Sequence, residues 1–510
     1  MDNINLEKML SVTLLSSLSS LSSLSSLSLI SLIVISLILL IVLYKILLNY
    51  IYDNKIPRVT GGIPFFGQVF DMIKGSPWDT MTTWVMKFGT IYRIHLFGSD
   101  AIVVSDPLLL KTVLQTHYDI FKKDLEWTYK PFMVILGNGL VTADGKSWFT
   151  QRANLSSHLR IEILEEIPKM AIEAVERLCI KLDKAKIEGK PIEMAEEFRH
   201  LTLQVIAEAI LSLSPEESDQ TFAHMYLPIV EEGNRRTWNP ERMFLPTPSF
   251  FKFRKDVKKL DDYVTSLIVK RWKLRESEAK SGTTSRKTDV LDKTLDKISE
   301  EDWNASAIKQ IRDDVKTFIL AGHETSASML TWSLYELMCN KRCLDEVLKE
   351  AKDIFKEKYD ISSLPPRSEL DRLKYTDCCL KESLRKYSVV PTVVRVASKA
   401  TKIGEYDIAK GSTIMVNMQG VHHNPEFWPS PMEYKPERFF DEIKPYTFLP
   451  FVDGPRSCLG QYLSLLESKV VLSILVSKYK FKVVDKELAG VKHPSMIPII
   501  PKNGHFMLVE

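Results

Sequence analysis

A single cysteine sets the tightest constraint on how this chain can fold. Cys458 lies in the decapeptide Phe451-Val-Asp-Gly-Pro-Arg-Ser-Cys-Leu-Gly460, ahead of an apolar, helix-compatible run from Gln461 to Val476. A thiolate that binds iron needs a positive field and backbone N–H groups aimed at its sulfur. A helix that starts just after Cys458 turns its positive end toward that sulfur. Gly454 and Gly460 have no Cβ, so backbone can approach the sulfur or a flat ligand. Arg456 can pair with a carboxylate of a bound cofactor. The plainer alternative is a buried cysteine in a tight turn, because free cysteine often packs as a small hydrophobe.

The order of residues in this stretch resembles the haem-binding signature of the cytochrome P-450 (haem-thiolate) family, Phe-x-x-Gly-x-Arg-x-Cys-x-Gly. Phe451, Gly454, Arg456, Cys458 and Gly460 stand at all five fixed positions. The resemblance implies haem b (iron protoporphyrin IX) with Cys458 as the metal ligand. It also implies that Phe451, Gly454, Arg456 and Gly460 shape the cofactor's surroundings.

The bulk numbers are compatible with one large domain. The chain has 510 residues, 45% hydrophobic and 26% charged, an ordinary globular balance. A net charge of +3 argues against nucleic acid as the main partner. Six cysteines without a Cys-x-x-Cys pair suggest neither a disulfide framework nor structural zinc. The main body is therefore expected in a reducing compartment.

The N-terminus reads differently. Residues 1–26 are a low-complexity Ser/Leu repeat with no assigned chemistry. Residues 27–48 are almost wholly apolar, long enough to span a bilayer as a helix of about 20 residues. Lys45 stands near the C-terminal end of this span and Lys55 and Arg58 follow it, while only Lys8 precedes it. The positive-inside rule then places the C-terminal body in the cytosol. A cleaved signal peptide is the alternative, but the apolar run exceeds the usual ~7–15 residues of such signals. Residues 49–67 form a Pro/Gly-rich connector, loosely similar to the family's hinge, and residues 68–510 the catalytic domain.

Further motifs follow in the order that the resemblance implies. Ile91–Phe97 and Ala101–Val104 flank Gly98-Ser-Asp100 and read as a β-hairpin. Trp148 and Arg152 are four apart and share a helix face; alone they could be a surface cation–π pair. They match the family's Trp-x-x-x-Arg motif, whose side chains reach a haem propionate. Phe244–Phe253 is expected to break the helical pattern as a loop or lid, and residues 273–303 to form a charged, exposed loop. Ser299 and Asp302 resemble a capping box for the helix that follows.

That helix is expected from about Ala305 to Cys339, with Ala321-Gly-His-Glu-Thr-Ser326 at its centre. A kink with Glu324 on a solvated face is one reading. The segment also resembles the family's Ala-Gly-x-Glu-Thr motif. There the glycine opens the helix for dioxygen, and Glu324 and Thr325 act as catalytic proton-relay residues. His323 is expected to pack rather than to ligate iron. Glu382 and Arg385 are three apart on a further helix and match the family's Glu-x-x-Arg. With Arg438 of Pro436-Glu-Arg-Phe439, the resemblance makes them a buried structural triad. Arg395 is a candidate second propionate partner. Substrate contacts are expected from 126–134, Phe318, Ile319, Ala321, 389–393 and Met496.

Together these readings give a mainly α protein with a small β region, the cytochrome P-450 fold, behind an N-terminal transmembrane helix. The resemblance implies a monooxygenase that inserts oxygen from O2 into a C–H bond of an apolar or lipid-like small molecule. No flavin or nicotinamide domain is evident, so electrons from NADPH are expected through a separate cytochrome P-450 reductase. The expected location is the endoplasmic reticulum membrane, single-pass, with the catalytic domain facing the cytosol. Alternatives are a haem-thiolate isomerase or dehydratase acting on a peroxide, a haem sensor without turnover, and a membrane structural protein. The intact Glu324 and Thr325 speak against the first.

Overall fold

The computed structural model describes residues 30–40, 43, 55–156, 161–239, 241–282, 289–355, 365–494 and 497–510. Among them are ten strands: β1 (Ile91–Leu96), β2 (Ser99–Val104), β3 (Phe121–Lys123), β4 (Ile192–Glu193), β5 (Thr392–Ala397), β6 (Thr401–Ile403), β7 (Tyr406–Ile408), β8 (Thr413–Asn417), β9 (Phe481–Val483) and β10 (Phe506–Val509). The largest sheet runs β1-β2-β8-β5-β3, and β2–β8 is its parallel pair. The expected hairpin is β1–β2. Its two-residue turn has φ 47° at Phe97 and 76° at Gly98, the two positive values of a type I′ turn. Residues 56–67, expected as connector, already lie against this hairpin. Ile56 and Val59 are buried, Val59 N–H donates to Arg93 at 3.0 Å, and Gly98 N–H donates to Phe65 at 2.7 Å.

The helices that build the site are α1 (Gly145–Ser156), α2 (Ile161–Glu188), α3 (Met194–Leu211), α4 (His224–Trp238), α5 (Pro248–Ser281), α6 (Ala305–Cys339), α7 (Lys374–Tyr387) and α8 (Gln461–Lys478). The largest apolar cluster draws on all of these except α1, including Leu182, Phe198, Tyr226, Leu260, Leu330, Leu380 and Leu472. α6 has 35 residues, about 52 Å at 1.5 Å per residue. It crosses the middle of this core, packed against α3, α5, α7 and α8.

Three local expectations are corrected. Ser299 and Asp302 close a turn on each other at 2.7 Å, but α6 starts three residues after Asp302 and Asn304 caps it, accepting from the N–H groups of Ser306 and Ala307. The break at 244–253 is short. Thr247 caps α5 and Pro248 is its first residue, a position where a missing N–H costs nothing. α5 also runs on to Ser281 and a short helix spans Val290–Leu295, so most of the described part of the stretch 273–303 is helix.

Among the described residues, no helix is long and apolar enough to cross a membrane. Of the expected span 27–48, residues 30–40 and 43 are among them and the rest lie outside. Residues 30–40 are helical and their side chains exposed. Met496 and residues 283–288 also lie outside the described residues.

Candidate haem-thiolate site

The cysteine loop is held by its own backbone. Asp453 caps a single 3-10 turn over Gly454–Arg456, and Cys458 N–H donates to the Phe451 carbonyl at 2.9 Å. Gly454 has φ 75°, and a Cβ there would sit 2.3 Å from the Leu114 carbonyl oxygen. Only glycine fits on both counts. Gly460 is different. Its φ is −86°, and a Cβ would lie 3.9 Å from the Cys458 sulfur with nothing else close.

α8 begins at Gln461, so the N–H groups of Gly460 and Gln461 point at the Cys458 thiol. Burial pushes that thiol up, while these N–H groups and the Arg152 guanidinium act in the opposite direction. Protein surrounds Cys458, yet its side chain has open surface, as does Ala321 in the middle of α6. Their neighbours Glu324, Ser326, Leu463 and Leu466 are buried. The open surface therefore borders an internal space between α6 and the start of α8. A bond of 2.8 Å between the hydroxyls of Ser326 and Ser464 ties the two helices together beside it.

Four cations gather near this loop. Arg152 donates to the Ser457 carbonyl at 2.6 Å. Arg456 stacks over the Trp148 ring at 4.6 Å and pairs with Asp144. Burial works against ionisation of Asp144, but Arg456 and the N–H groups of Gly145 and Lys123 outweigh it and hold the carboxyl low. Arg395 is buried on β5. Lys123, which sequence reasoning passed over, stands opposite Arg395 in the β3–β5 ladder. Nε and Nη1 of Arg456 are buried with no protein partner. Buried guanidinium donors without partners are costly, so they call for an anionic ligand. A dicarboxylate cofactor with a thiolate-ligated metal fits these residues: Arg152 and the Arg456–Trp148 pair stand beside the Cys458 loop, and Arg395 adjoins them through Lys123.

Glu324 and Thr325 are not joined to each other. Thr325 hydroxyl donates back to the Ala321 carbonyl at 2.7 Å, one helical turn earlier. Glu324 is buried and accepts from Arg199 of α3 at 2.8 and 3.2 Å, and His323 Nε2 lies 3.2 Å from the same oxygen. Burial alone would raise this carboxyl, but His323 and Arg199 outweigh it and hold it at about 2. The solvated-face reading of Glu324 is thus excluded. α6 is also unbroken at Gly322, where a Cβ would meet Ile206 of α3 at 2.8 Å. The glycine lets two helices pack closely. Ile319 is fully buried in the apolar core, which removes it from the expected substrate contacts.

Behind the cysteine loop, Arg385 makes two bonds of 2.8 Å to the Glu382 carboxylate, both residues fully buried. Arg438 Nε donates to Glu382 at 3.3 Å and its other nitrogens reach the carbonyls of Pro429 and Ser430. Arg385 also donates to the His422 carbonyl at 2.9 Å, and the His422 ring accepts from Leu449 N–H at 2.8 Å. The three charges thereby brace the segment that leads into residues 451–460. Leu125, Glu126, Trp127, Lys130, Met133 and Val134 line a cleft of 570 Å³, mostly within the expected contact region.

Comparison with known proteins agrees with this geometry. The family model described as Cytochrome P450 matches residues 57–507. The chain is 31% identical to Cytochrome P450 4c21 of Blattella germanica over 85% of this chain and 88% of that one. It is 27% identical to Carotene epsilon-monooxygenase, chloroplastic, of Arabidopsis thaliana over 88% and 85%. It is 28% identical to a Cytokinin hydroxylase of the same plant over 78% and 77%.

Proposed function

The chain belongs to the cytochrome P450 family of haem b monooxygenases, and on that premise we propose that Cys458 is its iron ligand and that it oxidises a C–H bond of an apolar small molecule. The observation that carries this is the open surface of Cys458 beside unpartnered donors of Arg456. When bound, haem with a thiolate ligand supplies the electron density that favours O–O cleavage. Trp148, Arg152, Arg395 and Arg456 hold the carboxylates of the cofactor. Glu382, Arg385 and Arg438 keep the loop rigid beneath it.

Thr325 and Glu324 have separate parts in this reading. The Thr325 hydroxyl, partly exposed while bonded to Ala321, presents an oxygen at the internal space. Glu324 is held as a carboxylate by Arg199 of α3, which also meets the half-exposed Glu196 at 2.9 Å; in this reading it orders water beside Thr325, and that water carries the protons. Electrons come from NADPH through a separate reductase that docks on the cysteine face. Residues 27–48 anchor the chain in the endoplasmic reticulum membrane with the C-terminal catalytic body in the cytosol; their apolar composition supports this. Carbonate washing should leave the protein with membranes.

The substrate is hydrocarbon-rich. Support comes from Trp127, Met133 and Val134 at the cleft and from the open surface of Ala321 in the middle of α6. The deciding experiment is the reduced carbon-monoxide difference spectrum of the wild type beside Cys458→Ala. A thiolate-type Soret band lost in the variant supports the assignment; its absence from folded wild type removes it.

A further inference from the structure

We propose that Lys123 is a positioning residue for the haem carboxylates, placing α1 and adding a fourth positive charge to their site. This rests on the reading of the arginines as carboxylate partners. β3 and β5 set Lys123 directly opposite Arg395. Like charges opposed across a ladder are destabilising, so the pairing needs an anion to offset it. Arg152 and Arg456 add two more cations, and Asp144 is the carboxylate among the charges acting on Lys123. Four cations against one carboxylate suit a dianion.

Lys123 does not touch that dianion. Its Nζ donates to the carbonyls of Leu140, Val141 and Ala143 at 2.8, 2.8 and 2.9 Å. An ammonium has three N–H donors, and all are occupied. The three carbonyls close the turn that launches α1, which carries Trp148 and Arg152. The backbone N–H of Lys123 donates at 2.7 Å to Asp144, the partner of Arg456. One residue therefore fixes both guanidinium groups, through α1 and through Asp144.

The charge state of Lys123 follows from the same neighbours. Burial, then Arg456, Arg395 and Arg152, push its pKa down to about 7, with Asp144 acting the other way. Bound carboxylates favour the ammonium, so the haem-loaded protein keeps the proton to higher pH. By linkage, haem is held less tightly as pH rises from about 7.

The test is the rate of haem transfer to excess apomyoglobin between pH 6 and 9, with thermal unfolding recorded alongside. Wild type should lose haem about tenfold faster at pH 9 than at pH 6, one pKa unit of coupling. Lys123→Met should lose it fast at every pH, and Lys123→Arg, charged throughout, slowly at every pH. A wild-type rate and pH profile in Lys123→Met overturns the proposal. Equal acceleration in both variants, matched by equal loss of thermal stability, reduces Lys123 to a structural residue and overturns it as well. Wild type without a thiolate-type haem spectrum defeats the underlying reading instead.

Discussion

Arg199 Nη2 donates to the Glu324 carboxylate at 2.8 Å, joining α3 to the centre of α6 across 125 residues of sequence. Both residues stand where water has little access, so each depends on the other. Removing the guanidinium leaves a buried carboxylate with only His323 beside it. We expect Arg199→Met to cost about 3–5 kcal/mol and to raise the Glu324 pKa from about 2. The double variant Arg199→Met/Glu324→Gln should recover most of that loss. Urea unfolding of the four proteins checks it; full additivity of the two substitutions would show that the pair is not coupled.

Glu382→Ala should leave two buried guanidinium groups facing each other. The expected loss is again about 3–5 kcal/mol, and little haem should be retained by the protein that folds. Haem per chain, measured by absorbance after purification, reports this. A normal ratio at normal stability would remove the triad from the account.

The two glycines of the cysteine loop should respond differently. Gly454→Ala forces an L side chain to φ 75° and into the Leu114 carbonyl, with an expected cost of more than about 1–3 kcal/mol. Gly460→Ala meets ordinary backbone and a 3.9 Å contact with sulfur. Its fold should keep wild-type stability while the methyl fills part of the open space beside the sulfur and lowers haem content. Thermal unfolding and haem content, measured together, separate the two effects.

Asp314 supplies a pH dependence. It is buried, its Oδ1 has no partner, and burial together with Asp313 raises it to about 7, against bonds from Gln310 and the Leu140 N–H. The folded pKa lies above the ordinary value of 3.8. The native protein therefore binds the extra proton between about pH 4 and 7, and stability falls as pH rises through that window. Full expression of the shift corresponds to at most about 4 kcal/mol. Asp314→Asn should flatten the profile and be the more stable protein at pH 8. Equal slopes in both proteins between pH 5 and 8 would exclude Asp314 as the source.

What could be read from sequence was whatever is local. Trp148 and Arg152 share one helix face, and Glu382 and Arg385 another, because i to i+3 or i+4 spacing decides it. Gly454 announces a turn and Gln461 a helix start by composition. Pairings between distant helices leave no such mark. Arg199 is an ordinary cation on a polar stretch of α3, and nothing nearby says that it meets Glu324. Lys123 is one of two adjacent lysines, and only the ladder register selects it. Gly322 carried the wrong meaning, since a close helix crossing and a helix opening demand the same small residue. The boundary of the globule was drawn too late because Pro57 and Gly61 signal turns whether or not the turns are packed.

The bond from Arg152 to the Ser457 carbonyl joins residues 305 apart. Closing a loop of that length from a disordered chain costs about 5 kcal/mol in entropy beyond the constant term. Such a contact is a poor nucleus for folding. α2, α3 and α6 can assemble their apolar faces first, and the cysteine loop then docks onto a body that is already compact. Cofactor capture is accordingly a late event in the life of the chain, and a scarcity of haem should accumulate molecules that are folded through their helical core and unfinished only at the seam between residues 144–152 and 451–461.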